Sequence, residues 1–321
     1  MRAWQVWLDT EARLHASLES TVVLEMKKIL VAGASGYLGR NVVKVLKERG
    51  FWVRALGRTA AKLEPIEELA DELFIGEVTD LGSLAGLCDG IDIVFSSVGI
   101  TRQKDGLTYK DVDYQANRNL LTLAEGSGVS KFMYVHVLNA EKLHHVAMIQ
   151  AKQAFVDDLK RSTLDFTVVC PTGFFSDMEE FLSMARSGRC YLFGDGLNRI
   201  NPIHGADLAE VCADALESAE SQIDIGGPEV LTYQEIAELA FDVLERREKI
   251  TCIPKYLVSA IVGALRWLTP VKVHGPIQFM ASVMTMDVIG QPHGQRRLAD
   301  HFRDCERKLG SSPSEDHPLP V

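Results

Sequence analysis

The chain reads as an α/β protein: a doubly wound parallel sheet with helices on both faces and a smaller C-terminal lobe. Three observations carry this. Strand and helix patterns alternate from Lys28 to about Pro171. The strands are rich in Val, Ile and Phe, as strands covered on both faces are. The first strand also runs directly into Gly33-x-x-Gly36-x-x-Gly39, with a helical stretch at once behind it.

The opening strand covers residues 28–32 and the first helix 39–49. Strands follow at 52–56, 72–76 and 92–96, with a helix start at 80–87 between the last two. A helix over 112–126 stops at Gly126-Ser-Gly128. The fifth strand takes 131–137, a helix 148–161 and the sixth strand 165–170. Right-handed crossovers leave few topologies for such a series. Beyond Pro171 the rhythm changes, with helices at 181–187, 207–216 and 233–246, a strand and turn at 191–196 and a loop at Gly226-Gly-Pro228. This half is expected to cap the carboxyl edge of the sheet, where ligands bind in open α/β folds.

The glycine run has the spacing a nucleotide pyrophosphate needs. Gly33 permits the tight turn off the strand, Gly36 admits phosphates close to the backbone, and Gly39 lets the helix pack on the sheet. The helix N-terminus offers unpaired N–H groups and a partial positive charge. This is a Rossmann-type arrangement, with Gly33, Ser35, Gly36, Tyr37, Leu38, Gly39 and Arg40 expected around the cofactor. An NAD site usually places Asp or Glu at the end of the second strand. Here that place reads Leu56-Gly57-Arg58-Thr59. Arg58, with Arg40, suits a 2′-phosphate, so NADP(H) is expected over NAD(H). Asp80 is placed for the adenine, and Ser96, Ser97 and Gly99 for the cofactor backbone. The expected divisions are an extension over 1–25, a dinucleotide-binding domain over 26–175, a substrate or cap region over 176–310 and a disordered tail over 311–321.

The totals narrow the function classes. A net charge of −10 over 321 residues argues against a nucleic-acid surface, which needs a basic face. The six cysteines are scattered with no C-x-x-C pair, which points to free thiols in a reducing cytoplasm. His144-His145 lacks a third ligand nearby, and no metal is expected. Residues 4–18 look helical but carry Asp9, Glu11 and Arg13, unlike a secretory signal. With Met26 just before the first strand, residues 1–25 read as a dispensable extension or a docking helix. No run reaches the roughly 18 apolar residues of a bilayer span. The nearest, from Tyr256 to Leu268, is expected to be a buried or substrate-covering helix. A membrane-surface helix is the alternative, because Arg266 and Trp267 suit an interface.

Further motifs fall in order along the chain: Gly76-Glu-Val-Thr-Asp80, Gly128-Val-x-Lys131-Phe132, Pro171-Thr-Gly-Phe-Phe175, Asn201-Pro-Ile-His-Gly-Ala-Asp-Leu208 and Gly226-Gly-Pro-Glu229. With the glycine run they resemble the short-chain dehydrogenase/reductase superfamily in its atypical, NmrA-like branch. The resemblance covers residues 27 to about 305. It extends to divinyl chlorophyllide 8-vinyl reductases, isoflavone-reductase-like enzymes and the Rossmann-type accessory subunit of respiratory complex I. It implies an NADP(H)-binding oxidoreductase fold whose usual site holds Ser near the end of strand five and Tyr-x-x-x-Lys on the next helix. Here His136 stands at the Ser position and Met148 at the Tyr position, while Lys152 remains. Methionine has no proton to give, so the usual carbonyl-reduction apparatus is absent.

Three readings of Lys152 stand open: a holder of the ribose hydroxyls, an acid or base with a lowered pKa, or an exposed helical lysine. His136 is the other titratable candidate, as a proton donor or as a buried strand histidine. The resemblance places Pro171, Gly173 and Phe174 around the nicotinamide, and Cys170 stands where many relatives carry Arg. Tyr109, Tyr114 and Asn117 are candidates for the cleft wall, and Tyr114 is the nearest substitute acid. Asp207 is expected to cap the next helix. Phe174, Phe175, Phe181, Tyr191, Phe193, Leu257 and Trp267 form either an apolar pocket or core. The implied function is hydride transfer from NADPH to an apolar conjugated or carbonyl substrate. The alternative is a non-catalytic NADP(H) binder that docks a partner protein.

Overall fold

The computed structural model describes residues 26–101 and 106–311. The expected extension over 1–25 and the tail beyond Ser311 lie outside them. The strands are β1 (Lys28–Ala32), β2 (Trp52–Gly57), β3 (Glu72–Ile75), β4 (Ile93–Ser96), β5 (Lys131–Val135), β6 (Asp165–Pro171), β7 (Cys190–Phe193), β8 (Arg199–Ile200), β9 (Gln222–Gly226), β10 (Leu231–Thr232), β11 (Ile250–Ile253) and β12 (Gln291–Pro292). The helices are α1 (Tyr37–Glu48), α2 (Ala60–Leu63), α3 (Asn117–Gly126), α4 (Ala147–Arg161), α5 (Phe175–Arg186), α6 (Gly205–Ala215), α7 (Tyr233–Val243), α8 (Lys255–Leu268), α9 (Val271–Met284) and α10 (Leu298–Ser311).

Eight strands form one sheet in the order β12-β9-β6-β5-β4-β1-β2-β3, and every pairing in it is parallel. The strand alternation divides the core into two layers. Ile29 and Val31 face Val42, Leu46, Leu208 and Cys212 on one side. Leu30, Phe132 and Tyr134 face Leu120, Phe155 and Leu159 on the other. The central strands β1, β4 and β5 thus bury both of their faces, which is why they read as largely apolar runs. Lys131 is buried at the base of β5, where its Nζ donates to the carbonyls of Ala215 (2.7 Å), Leu216 (3.2 Å) and Ser218 (2.6 Å). It thereby closes the C-terminus of α6, where a cation is favoured.

The sheet does not stop at the sixth strand. β9 and β12 come from the stretch read as the C-terminal lobe, and they extend the sheet beyond β6. Asn201 explains the join. Its side chain donates to the carbonyls of Gly227 and Gly290, both at 3.0 Å, and accepts from the Gly290 N–H at 2.9 Å. A Cβ at Gly226 would lie 2.3 Å from that amide, so the glycine is required by packing. The Glu179 carboxylate, the His301 ring (2.9 Å) and the Cys305 sulfur (3.7 Å from His301 Nε2) meet where α10 lies on α5.

Two predicted helices differ. Residues 80–87 hold only a short 3₁₀ turn, Leu81–Leu84, capped by Asp80. The helix expected from Val112 starts as a wide π-turn, Lys110–Ala116, before α3. The cause is Asn117, whose side chain donates to the carbonyls of Val98, Val112 and Asp113 and so holds the turn open. No helix among the described residues is long and apolar enough to cross a membrane.

Candidate functional site

A cleft of about 290 Å³ opens at the carboxyl edge of β1, β2 and β4, lined by Gly33, Ser35, Gly36, Gly57, Arg58 and Ser97 to Ile100 among others. Its floor is backbone. Gly33 has φ +84°, where only glycine is at ease, and its carbonyl accepts from the Gly36 N–H at 2.9 Å. A Cβ at Gly39 would lie 2.0 Å from that same carbonyl oxygen, so helix and turn touch through glycine. A Cβ at Gly36 would meet only the Gly33 oxygen, at 3.2 Å, and otherwise enters open cleft. Gly36 caps α1 with no side-chain bond and no acidic residue follows in the first turn. The first-turn amides are thus left facing the cleft, an arrangement that fits a diphosphate.

The remaining cofactor candidates divide. Leu38 and Gly39 are buried and act by packing. Arg40 is exposed and donates to the Ser35 carbonyl at 2.8 Å, which fixes the loop. Arg58 lines the cleft at the end of β2, and no carboxylate stands at that strand end. Asp80 does not reach the cleft. Its carboxylate accepts from the Gly82 N–H at 3.0 Å, and Gly76, Glu77 and Val78 take the expected place. Ser96 is fully buried and donates to Asn117 at 2.6 Å, so Ser97 and Gly99 supply the wall. Pro171 is buried, while Gly173 and Phe174 are half-buried. The edge of Phe174 meets the Tyr37 ring at 5.9 Å between centroids. The Tyr37 hydroxyl accepts from the Gly205 N–H at 2.9 Å and ties the glycine loop to α6.

Under Gly99 of the cleft wall lies a cluster built around Lys152. Its ammonium lies 3.3 Å from Asp113 Oδ1 and donates to the Tyr134 hydroxyl at 3.3 Å. The Lys152 side chain is 12% exposed and that of Asp113 is not exposed at all, so the exposed-lysine reading falls. Burial opposes its charge, but Tyr134 and Asp113 outweigh burial and hold its pKa above the usual lysine range. The protein's own groups therefore do not lower it. Burial pushes the Asp113 carboxyl up to about 6 against the pull of Lys152, and the Tyr134 phenol up to about 12. Near pH 7 the pair is ionised and the phenol neutral. A Cβ at Gly99 would stand 2.7 Å from Asp113 Oδ1 and 2.8 Å from Lys152 Nζ. The loop after β4 therefore passes directly over the pair.

His136 is buried at the end of β5. Burial, with the Lys152 charge, lowers its pKa to about 4, so it is neutral at pH 7 and not a near-neutral proton donor. Its Nε2 meets Gln153 Oε1 at 3.2 Å. Of the other candidates, the Tyr114 hydroxyl is committed to Asp158 (2.9 Å) and the Tyr109 hydroxyl to the Thr101 carbonyl (2.9 Å). Asp207 pairs with Arg296, and His204 caps α6 in its place. The aromatic set does not gather into a pocket. Phe175 and Phe181 are core, whereas Tyr191, Leu257 and Trp267 are exposed. Sequence reasoning missed Asp113 and Tyr134. Strand alternation offered a signal for the second, because Tyr134 and His136 share a face of the strand that meets α4.

A family described as NAD(P)H-binding matches residues 33–219, more than half the chain. The chain belongs to the NAD(P)H-binding family. Within the wider set of relatives, it is 30% identical over 261 residues to divinyl chlorophyllide a 8-vinyl-reductase of Arabidopsis thaliana, covering 74% of this chain and 62% of that one. It is 25% identical over 246 residues to the photosystem II assembly factor Ycf39 of Trieres chinensis, covering 74% and 77%. The chain thus spans somewhat under two thirds of the vinyl-reductase length. Among solved structures it resembles an NADPH-dependent quinone oxidoreductase of Escherichia coli complexed with NADPH, with TM-score 0.69 and 15% identity, covering 87% of this chain and 99% of that one. The eight-stranded parallel sheet with flanking helices is the fold of NADPH-binding reductases of known structure.

Proposed function

We propose that the chain binds NADPH across this cleft and passes its hydride to an apolar conjugated acceptor, of the vinyl or quinone kind. One observation carries the reading: a glycine cradle floors the cleft, a buried, charged Lys152 lies under Gly99 of its wall, and neither Lys152 nor His136 is a proton donor near pH 7. When bound, the cofactor supplies a hydride. Gly33, Gly36 and the first turn of α1 hold the diphosphate. Arg58 meets the ribose 2′-phosphate, which favours NADP(H) over NAD(H). Asp113 and Tyr134 keep Lys152 charged and still, so its ammonium orients the ribose hydroxyls beneath Gly99. With His136 neutral and Tyr134 buried, the proton comes from water. That suits an acceptor whose protonation follows hydride addition better than a ketone, which needs a proton at the oxygen as the hydride arrives. The relationship to a vinyl reductase supports the same acceptor class.

A second reading has support of its own. The same lack of a proton donor suits a protein that binds NADP(H) without turnover and docks a partner, and an assembly factor stands among its relatives. The two are separated by saturating the full chain with NADPH and following the nicotinamide absorbance with quinone, enone and porphyrin acceptors. Acceptor-dependent oxidation is the expected result. Tight binding without oxidation by any acceptor class would transfer the argument to the binder.

A further inference from the structure

The hairpin of α8 and α9 presents an apolar face that none of the described residues covers. α8 buries only Val258. Trp267 is 93% exposed, Leu268 81% and Tyr256 77%, with Leu257 and Ile261 also open. These residues share one side of the helix. At 100° per residue, Tyr256, Leu257, Ala260, Ile261, Ala264, Trp267 and Leu268 fall in a stripe roughly 140° wide. Val258, Val262 and Leu265 point away from it toward the protein, and Lys255, Ser259 and Arg266 run along its border. Val271, Val273 and Ile277 of α9 are exposed beside it. The hairpin is nevertheless anchored. Phe279 and Val283 pack with Leu143, Met148 and Ile149, and Gln278 donates to the His145 carbonyl at 3.1 Å.

Charge selects the occupant. From Lys249 to Met286 the sequence has no Asp or Glu, yet it carries Lys249, Lys255, Arg266 and Lys272 in a chain of net charge −10. A second copy docked by the same face would set these cations against one another. A bilayer with anionic headgroups accepts both features. The stripe enters the interface, a Trp sits at its edge, and the basic side chains meet the headgroups. At about 1.5 Å per residue, α8 is near 21 Å long, suited to lying on a membrane rather than crossing it.

We propose that the α8–α9 hairpin docks this protein on an anionic lipid surface, with Tyr256, Ile261, Trp267 and Leu268 inserted and Arg266 and Lys272 at the headgroups. The proposal is independent of turnover, since it rests on a face outside the cleft. It is tested by floating the full chain with vesicles of phosphatidylcholine alone and with one quarter phosphatidylglycerol. The chain should float with the anionic vesicles, and partitioning should fall at least tenfold in the W267E/L268E variant. It should also fall about fivefold for each charge removed in Arg266→Gln and Lys272→Gln. Unchanged NADPH affinity in the same variants shows that they fold. Failure to float, or flotation that the double variant leaves intact, overturns the proposal. So does a dimer in solution that the double variant disperses while vesicles bind nothing, which would make a second copy the occupant.

Discussion

The glycine turn of the cleft and the Lys152 cluster under its wall are built from different materials. At Gly33 backbone does everything: a positive φ, a helix start without a cap and a glycine touching a carbonyl oxygen. Around Lys152 a buried ion pair and a phenol do it, set under Gly99. The first construction is local in sequence and tolerates no Cβ at Gly39. The second draws Asp113, Tyr134 and Lys152 from three elements and depends on charge balance in a dry place. Each should therefore break in its own way.

The largest effect belongs to the ion pair. Lys152→Met leaves the Asp113 carboxylate alone where it has no exposure, and breaking such a pair costs about 3–5 kcal/mol. Chemical denaturation should show that loss near pH 7, easing as the pH falls and the carboxyl takes a proton. The Asp113→Asn/Lys152→Met double variant should recover most of it. A double variant no better than the single one would mean that the pair is not coupled.

Gly39→Ala tests the glycine turn. Its Cβ would lie 2.0 Å from the Gly33 oxygen, and backbone has no rotamer with which to yield. We expect a loss of about 3 kcal/mol in stability, the upper range for overpacking, together with weakened NADPH binding because α1 must shift off the turn. Wild-type stability and affinity in Gly39→Ala would show that the helix and turn do not touch as described.

The contrast also explains what the sequence disclosed. The glycine turn and strands β1 to β6 were legible because each is written in consecutive residues: a periodicity, a spacing, a strand-then-helix order; Lys152 came only from the family pattern. The Asp113–Lys152–Tyr134 cluster was not, since Asp113 and Tyr134 lie 39 and 18 residues from Lys152 and meet it only once the π-turn before α3, α4 and β5 pack. The same holds for β9 and β12, which are short and join the sheet through Asn201, a contact without local signature. Asp80 and Ser96 misled for a related reason. Their positions suited the cofactor, but a turn cap and a buried Asn117 claimed their side chains first.

His136 sharpens the comparison through pH. Its pKa in the fold is about 4 against an ordinary 6.5, so the unfolded chain binds the extra proton between those values. The histidine's contribution is then complete above pH 6.5 and is lost as the pH falls toward 4. His204, also lowered to about 4, acts in the same direction. Asp113 acts in the opposite one, because its raised pKa makes stability decline as the pH climbs from about 4 to about 6. In His136→Gln the rise of stability from pH 4 to 7 should shrink by about 2 kcal/mol. An imidazole that titrates near 6.5 by NMR in the folded protein would remove the buried, neutral histidine from the site.

The smallest effect is the one that decides the cofactor. Arg58 stands at the end of β2 on the rim of the cleft, exposed to water, so a bond from it to a phosphate would be screened and cost less to lose than a buried pair. Removing it should weaken NADPH by about tenfold, close to 1.4 kcal/mol, in line with one charge-assisted contact. NADH lacks the 2′-phosphate, and its affinity should hold. The informative quantity is thus the ratio of the two affinities in the parent protein and in Arg58→Ala. A ratio near one in the parent would mean that the rim does not read the phosphate. A ratio kept in the variant would pass the task to Arg40, whose guanidinium now braces the loop through the Ser35 carbonyl. Selectivity at this end would then be carried by the helix start as well as by the strand end.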